Sequence, residues 1–454
     1  MKRNLSGGRK PLEESNCKLQ NANCKFAFCI LQFAILPQAA YASRSVRVFL
    51  LLILIVAGAG RLLAAEEPPR PSFVLSLADG TTVAGPVEQI GDNWSVRLGG
   101  VKPVSATGLQ AISMHRENTS LPAWPQNEQV ILANGDRLPG MVREVTGDRL
   151  LVRADFGKEA DLSIPLSAVS VIWIAAPDGV DNVDKWRRRL AAAKRSRDAV
   201  YLRNGDVVEG TLNAINGQSR DVQIESAKKD VTVPFSKISV IALNSELIRP
   251  LQAKGVHARL VLDTGCRLTL DSAQADHGGL TGKTVFGGDI AIPLDRIRAI
   301  DWLGGCAVYL SDLKPRAYQF RSFLAGTSWP YLTDASVMEC DLRLGGQLYD
   351  KGLGVHTASR LTYTLGPDDR TFEALVGLDD AVGKEGSAHV QVLVDGKPQK
   401  LAWDGDLTWQ SGPRLIRVSV AGAKDLTLMT DFGDFGDVQG CVDWANARLI
   451  KNRK

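Results

Sequence analysis

Leu344-Gly-Gly-Gln-Leu-Tyr-Asp350-Lys351-Gly-Leu-Gly-Val-His356-Thr-Ala-Ser359 opens the run of sequence that sets the fold of the C-terminal third. Glycines and an Asp-Lys turn break it into short apolar pieces, and short alternating segments follow: Leu361–Leu365, Phe372–Leu378, Ala388–Val394, Ile416–Val420 and Leu426–Thr430. Apolar residues at every second position put one face of each segment in a core, which is the strand period. No helical period intervenes. Residues 306–454 therefore predict one antiparallel β-sandwich or jelly roll. Asp395-Gly396, between two strands, predicts a tight hairpin, and Trp444 in the apolar closing strand predicts a core residue.

Upstream, from Phe73 to Trp302, a hairpin pattern recurs four times: Leu77-Ala-Asp-Gly80, Leu132-Ala-Asn-Gly135, Leu202-Arg-Asn-Gly205 and Leu262-Asp-Thr-Gly265. Asn-Gly and Asp-Gly between apolar alternation signal a hairpin because both turn residues tolerate positive φ. Three copies close with a Pro-led turn and an Ile seven residues on: Pro165 to Ile172, Pro234 to Ile241, Pro293 to Ile300. The first is looser, with Pro103 nine residues before Ile112, and the fourth has Leu270 where the others repeat a glycine. The predicted units are 73–115, 129–175, 199–245 and 257–303. Each is the size of a small β-barrel and resembles SH3-like or Sm-like barrels. Irregular insertions between units predict beads on a string rather than a propeller. The whole chain thus reads as mostly β.

The segment 183–197 interrupts this pattern. Val183, Trp186 and Leu190 recur at helical spacing among Lys185, Arg187, Arg188, Arg189, Lys194, Arg195 and Arg197. We read it as an amphipathic connecting helix with a solvated basic face. The net charge of +4 over 454 residues is too small and too dispersed for a nucleic-acid footprint.

Cys266, Cys306, Cys340 and Cys441 show no CxxC and no His at metal-ligand spacing, so zinc is excluded and free thiols are expected. Arg44 and Arg47 precede the apolar run Val48–Gly58, and Leu63-Ala64-Ala65 supplies small residues for cleavage. Residues 1–65 are accordingly read as a leader with a secretory signal, shorter than a membrane-spanning helix. The Cys-, Asn- and Gln-dotted stretch before it suggests an over-extended start. Export would place the protein in the periplasm, at the cell surface or outside the cell. A membrane enters only if the signal is retained as an anchor.

Tyr349-Asp-Lys-Gly-Leu-Gly-Val-His356 with the following Ser359, then Val376-Gly-Leu-Asp-Asp380, and finally Asp443-Trp-Ala-Asn-Ala-Arg-Leu449 resemble NPCBM, the carbohydrate-binding module associated with glycoside hydrolase family 98. The resemblance covers Val308 to Leu449. It implies a galactose-binding-like jelly roll, a carbohydrate partner and a bound calcium. Sugar recognition needs aromatic faces for the C–H side of a ring and planar polar groups for its hydroxyls. Trp329, Tyr331, His356, Arg360, Asp379 and Trp409 are the candidates for it. Asp380, Asp434, Asp437 and Asp443 are the candidate calcium ligands, being hard carboxylate donors. Asp379-Asp380 could instead end a strand and hydrogen-bond its turn. The chain carries Gly440-Cys441-Val442 where many family members place a His before the final Asp-Trp.

No recurrent carboxylate pair, His or nucleophile accompanies the repeats, and no segment is left for a catalytic domain. The expected function is an exported, non-catalytic carbohydrate-binding protein whose repeats space the module or bind a protein partner. The alternatives are an envelope scaffold whose sandwich no longer binds sugar, and an accessory part of a glycoside hydrolase.

Overall fold

In the computed structural model, which describes residues 70–100, 102–323 and 328–452, the turn residues of the repeats are the first feature that explains the fold. Gly80, Gly135, Gly205 and Gly265 all sit at φ between 81° and 93°. The residue before each lies outside the left-handed region, so these are three-residue loops with one left-handed glycine rather than turns with two. The preceding Asp or Asn has a different task. Asp79, Asn134 and Asn204 each accept a hydrogen bond from the backbone N–H two residues on, at 2.8, 3.2 and 3.1 Å.

Each Pro-led turn is a single 3-10 turn: Leu166–Ala168, Phe235–Lys237 and Leu294–Arg296. The chain then enters the closing strand that returns to the unit's first strand, Val169–Trp173 to Gln129–Leu132, Ile238–Ala242 to Asp198–Leu202, and Ile297–Leu303 to His257–Leu262. In the first unit Ala111–Arg116 returns to Ser72–Leu77, and no 3-10 turn precedes it, matching its looser sequence pattern. Ile112, Ile172, Ile241 and Ile300 are all buried.

Beads on a string is not what the structure shows. The closing strands pair with one another across units. Ile172 lies opposite Ile241, joining the second and third units, and Ile300 lies opposite Met114, joining the fourth to the first. The second strands of the same partners touch again at Glu144 with Asn216 and at Ile90 with Ala275. All four units share one hydrophobic core, from Phe73 to Trp302.

The C-terminal part folds as two six-stranded antiparallel sheets. One runs Leu332–Thr333, Gly352–His356, Cys441–Lys451, Asp369–Leu378, Arg414–Ser419, with Ala307–Tyr309 also pairing the closing strand. The other runs Ala317–Phe320, Ser359–Thr364, Asp425–Phe432, Ser387–Val394, Lys397–Pro398, with Asp406–Thr408 beside Ser387–Val394. Their inner faces form one core that includes Phe372, Trp444, Leu361, Tyr363 and Val390. Trp444 is fully buried, and its Nε1 donates across the sandwich to Thr430 Oγ1 at 3.3 Å. Asp395 and Gly396 both have positive φ in the expected hairpin.

The helix, α1 (Val183–Ala192), ends sooner than 197. Its basic face is not solvated. Arg188 donates to the Asp341 carboxylate at 2.5 Å and to the Asp334 carbonyl at 2.9 Å, while Arg189 grips Glu339 with two bonds of 2.7 and 2.9 Å. Arg187 is buried over the Trp173 ring, 4.5 Å from its centroid. These contacts tie the repeats to the sandwich, and residues 69–454 form one compact unit.

The deepest tie is Arg267 of the fourth unit. It is fully buried, stacks on Trp124 at 4.1 Å, and meets Asp350 with two bonds of 3.0 and 3.1 Å. Burial acts to raise the Asp350 pKa, but the guanidinium beside it holds the carboxyl below the usual carboxylate range.

Cys266, Cys306, Cys340 and Cys441 are free thiols, as expected. No helix among the described residues is long and apolar enough to cross a membrane. The leader 1–65 and its signal lie outside the described residues.

Removing one partner of a buried, bidentate pair strands the other charge. Asp350→Ala is therefore expected to lower unfolding stability by about 3–5 kcal/mol in urea titration. Arg153→Ala, at the exposed Arg153–Asp161 pair, should leave the midpoint unchanged. Equal midpoints for Asp350→Ala and the parent would show that the two parts do not depend on this contact.

Candidate functional site

His356 ends the strand Gly352–His356, whose close packing on its neighbours sets the position of the ring. A side chain on Gly354 would collide with backbone at Ala335, Ser336 and Val337, so that strand can lie flush against the loop only with glycine. Trp329 comes from the segment just before Leu332–Thr333, the next strand in the same sheet. The two rings stack nearly parallel, 8° apart with centroids at 4.7 Å, and Phe320 meets the imidazole edge-on at 6.5 Å. His356 Nδ1 lies 2.7 Å from the Thr357 carbonyl, which can only accept. Nδ1–H therefore donates to that carbonyl, and Nε2 is the ring nitrogen this contact leaves open.

The stack lines a cavity of about 420 Å³. Its remaining sandwich walls are chiefly apolar and include Met338, Val382, Cys340 and Cys441. Burial pushes the Cys441 thiol up to about 12, so it serves as wall and not as a nucleophile. Asn182 and Lys185 of the α1 region complete its lining.

The other candidate residues fall elsewhere. Asp379, Asp380 and Trp409 line an adjoining cavity of about 310 Å³, with Val382 shared between the two. There Trp409 is 48% exposed, with the Lys384 ammonium 5.5 Å over its ring. Arg360 is on the opposite sheet, beside a third cavity of about 270 Å³ with Arg321 and Asp431. Tyr331 packs on Tyr318 at 5.0 Å and against the sandwich core. A larger cavity, about 730 Å³, lies among the repeats around Ile90, Phe156 and Gln274, where strand ends and turns form the walls and Phe156 is the single Phe, Tyr or Trp among the described lining residues.

The four calcium candidates are not brought together. Both Asp380 oxygens accept backbone N–H groups of a distant turn, from Gly345 at 2.7 Å and Gly346 at 2.8 Å, whereas the bond to its own turn that the sequence left open is made by Asp379, which accepts from Ala381 N. Asp434 and Asp437 stand on the loop between Phe432 and Cys441. Asp443 is fully buried in the closing strand beside Asp379. No group of three or more His, Cys, Asp or Glu placed to hold a metal occurs among the described residues, so this set does not fit a calcium cradle.

Asp379 and Asp443 instead form a buried carboxyl pair. Asp379 accepts from Ala381 N at 2.8 Å and Asp443 from Arg343 N at 3.3 Å, leaving one oxygen of each without a donor. Burial first, and then the Asp379 charge and a hydrogen bond to it, raise the Asp443 pKa well above the carboxylate range.

Sequence reasoning found Trp329 and His356 by residue type. It missed Asn182, Lys185, Met338 and Gln439, which reach this cavity only through tertiary contact. The Asn182-Val183 cap signal was readable, but not where the helix would dock.

Residues 307–450 match the NPCBM/NEW2 domain and form one. A Renibacterium salmoninarum protein named "Putative endo-alpha-N-acetylgalactosaminidase" is 34% identical over 109 residues, which are 24% of this chain and 7% of that protein. This chain thus spans only a small part of that relative's length. Among solved structures, CBM51 from Clostridium perfringens GH95 in complex with methyl-galactose is 26% identical, covering 32% of this chain and 99% of that one at a TM-score of 0.28. CBM51-2 with INT domains from Clostridium perfringens ZmpB, in complex with GlcNAc, is 20% identical over 39% of this chain and 38% of that one, at a TM-score of 0.29.

The Asp443 shift has a pH signature. With the folded pKa above the unfolded value of about 3.9, this group's contribution to stability is complete below about pH 4 and is lost as pH rises through the raised folded pKa. Asp443→Asn cannot ionise, so its melting temperature should exceed the parent's by a margin that widens from pH 4 to pH 8. Parallel profiles would remove Asp443 as the source.

Proposed function

We propose that this chain is an exported, non-catalytic carbohydrate-binding protein, and that its NPCBM/NEW2 domain takes sugar in the Trp329–His356 cavity. The observation that carries this reading is the stacked Trp329–His356 pair lining a cavity of about 420 Å³. That volume lies at the low end of the roughly 300–1,000 Å³ typical of small-molecule sites. An aromatic wall covers the apolar face of a pyranose, and His356 Nε2, the ring nitrogen not engaged by Thr357, can meet a ring hydroxyl, which both donates and accepts.

The non-catalytic part rests on the carboxylates. Cleaving a glycosidic bond takes two carboxyl groups that reach the substrate from either side. Asp379 and Asp443, packed beside one another, are 3% and 0% exposed; Asp379 borders the Trp409 cavity but Asp443 is sealed inside the closing strand, so the two do not reach a glycosidic bond from either side. The Trp409 cavity next door is a second surface where an extended glycan could continue past Val382. Export rests on the Arg44–Ala65 signal.

The test is a glycan array probed with the full-length chain, followed by titration with methyl-galactose and N-acetylglucosamine. Both measurements are run with and without chelator. Binding that Trp329→Ala weakens at least about tenfold, and that Trp409→Ala changes little for a monosaccharide, is the expected result. Because the calcium candidates do not converge, chelation is expected to leave affinity unchanged. A blank array would sink the sugar reading and turn the search to protein ligands.

A further inference from the structure

We infer that Lys185, on the helix inserted between the second and third repeat units, is part of the ligand site of the C-terminal domain and donates to a sugar oxygen there. The inference rests on the sugar reading of the Trp329–His356 cavity. It adds that the domain's site is completed by a residue from outside the domain.

Lys185, Arg188 and Arg189 stand three and four positions apart, so they share one face of α1. Arg188 and Arg189 are fastened to Asp341, Asp334 and Glu339 of the sandwich. The same face therefore presents Lys185 to the sandwich in a fixed position. Asn182 adds a second clamp. Its Oδ1 caps the helix by accepting from Lys185 N at 2.9 Å, and its Nδ2 reaches Cys340 Sγ at 3.4 Å.

The consequence for the cavity is chemical. The sandwich walls are apolar apart from His356, whose Nδ1 is taken up by the Thr357 carbonyl, and Gln439. A sugar oxygen acting as acceptor needs a donor; the Gln439 amide offers a neutral one, and Lys185 is the only ammonium or guanidinium lining the cavity among the described residues, so it offers the charge-assisted one. Its ammonium lies 3.5 Å from Glu339, with the side chain still 35% exposed. That leaves further donor N–H groups for a ring hydroxyl or an N-acetyl carbonyl.

The test uses the full-length chain and whichever of methyl-galactose or N-acetylglucosamine binds it more tightly in calorimetric titration. Lys185→Met keeps the apolar stem, and Glu339 stays gripped by Arg189, so the variant should fold with an unchanged melting temperature. Affinity should fall about tenfold in Lys185→Met, the loss of one charge-assisted hydrogen bond, and disappear in Trp329→Ala. Parent-like affinity in Lys185→Met together with loss in Trp329→Ala would overturn the role of the helix and leave the sugar site standing. Parent-like affinity in Trp329→Ala, or no binding of either sugar by the parent, would overturn the site itself and the inference with it.

Discussion

The Arg267–Asp350 pair is the constraint on which the rest of the architecture depends. An arginine with no exposure can persist only where its charge and its N–H groups are met, and here Asp350 and the carbonyls of Gly265 and Pro122 meet them, with Trp124 beneath. Asp350 belongs to the Tyr-Asp-Lys turn that leads straight into the strand ending at His356. The turn that delivers the candidate ligand histidine is thus the one anchored to the fourth repeat. Arg188, on the buried Asp341, and the more exposed Arg189, on Glu339, add further ion pairs from the repeats to the same domain. Such pairs add specificity of orientation more than net stability, since two buried charges forgo much hydration.

This changes the meaning of the repeats. Read as separate barrels they would be spacers, but their closing strands pair and their interiors merge, so together they make a broad rigid base. A helix held between that base and the sandwich keeps its side chains where the contacts put them. Placement of Asn182 and Lys185 at the cavity is a result of this rigidity and not of local sequence.

Much of the fold was legible because it depends on short-range rules. The alternation in Phe372–Leu378 and Ala388–Val394 marked strands within a few residues of their ends, the Pro-led turns marked the 3-10 segments, and Asp395-Gly396 marked its hairpin. One detail of turn chemistry differed, because the Asp or Asn before each repeat glycine binds the chain ahead through its side chain and does not adopt positive φ itself. What stayed hidden was partnership. Arg188 reads the same whether it faces water or Asp341, and a lone Asp in a strand, such as Asp443, does not reveal that Asp379 lies beside it. Of the site, Trp329 and His356 were accessible by type, whereas the dispersal of Asp380, Asp434 and Asp437 to separate duties was not.

The strand pairing of the first unit with the fourth also bears on how the chain acquires its shape. His115 and Asp301, in contact across that pairing, are 186 residues apart, while the second and third units are joined through strands much nearer in sequence. During synthesis the first unit must wait with one strand edge uncovered until the fourth has emerged, whereas the middle pair can close early. The last-made unit is thus the one that joins the first to the middle pair, and the sandwich, anchored on Arg267 of that unit, docks onto a base that has just become complete.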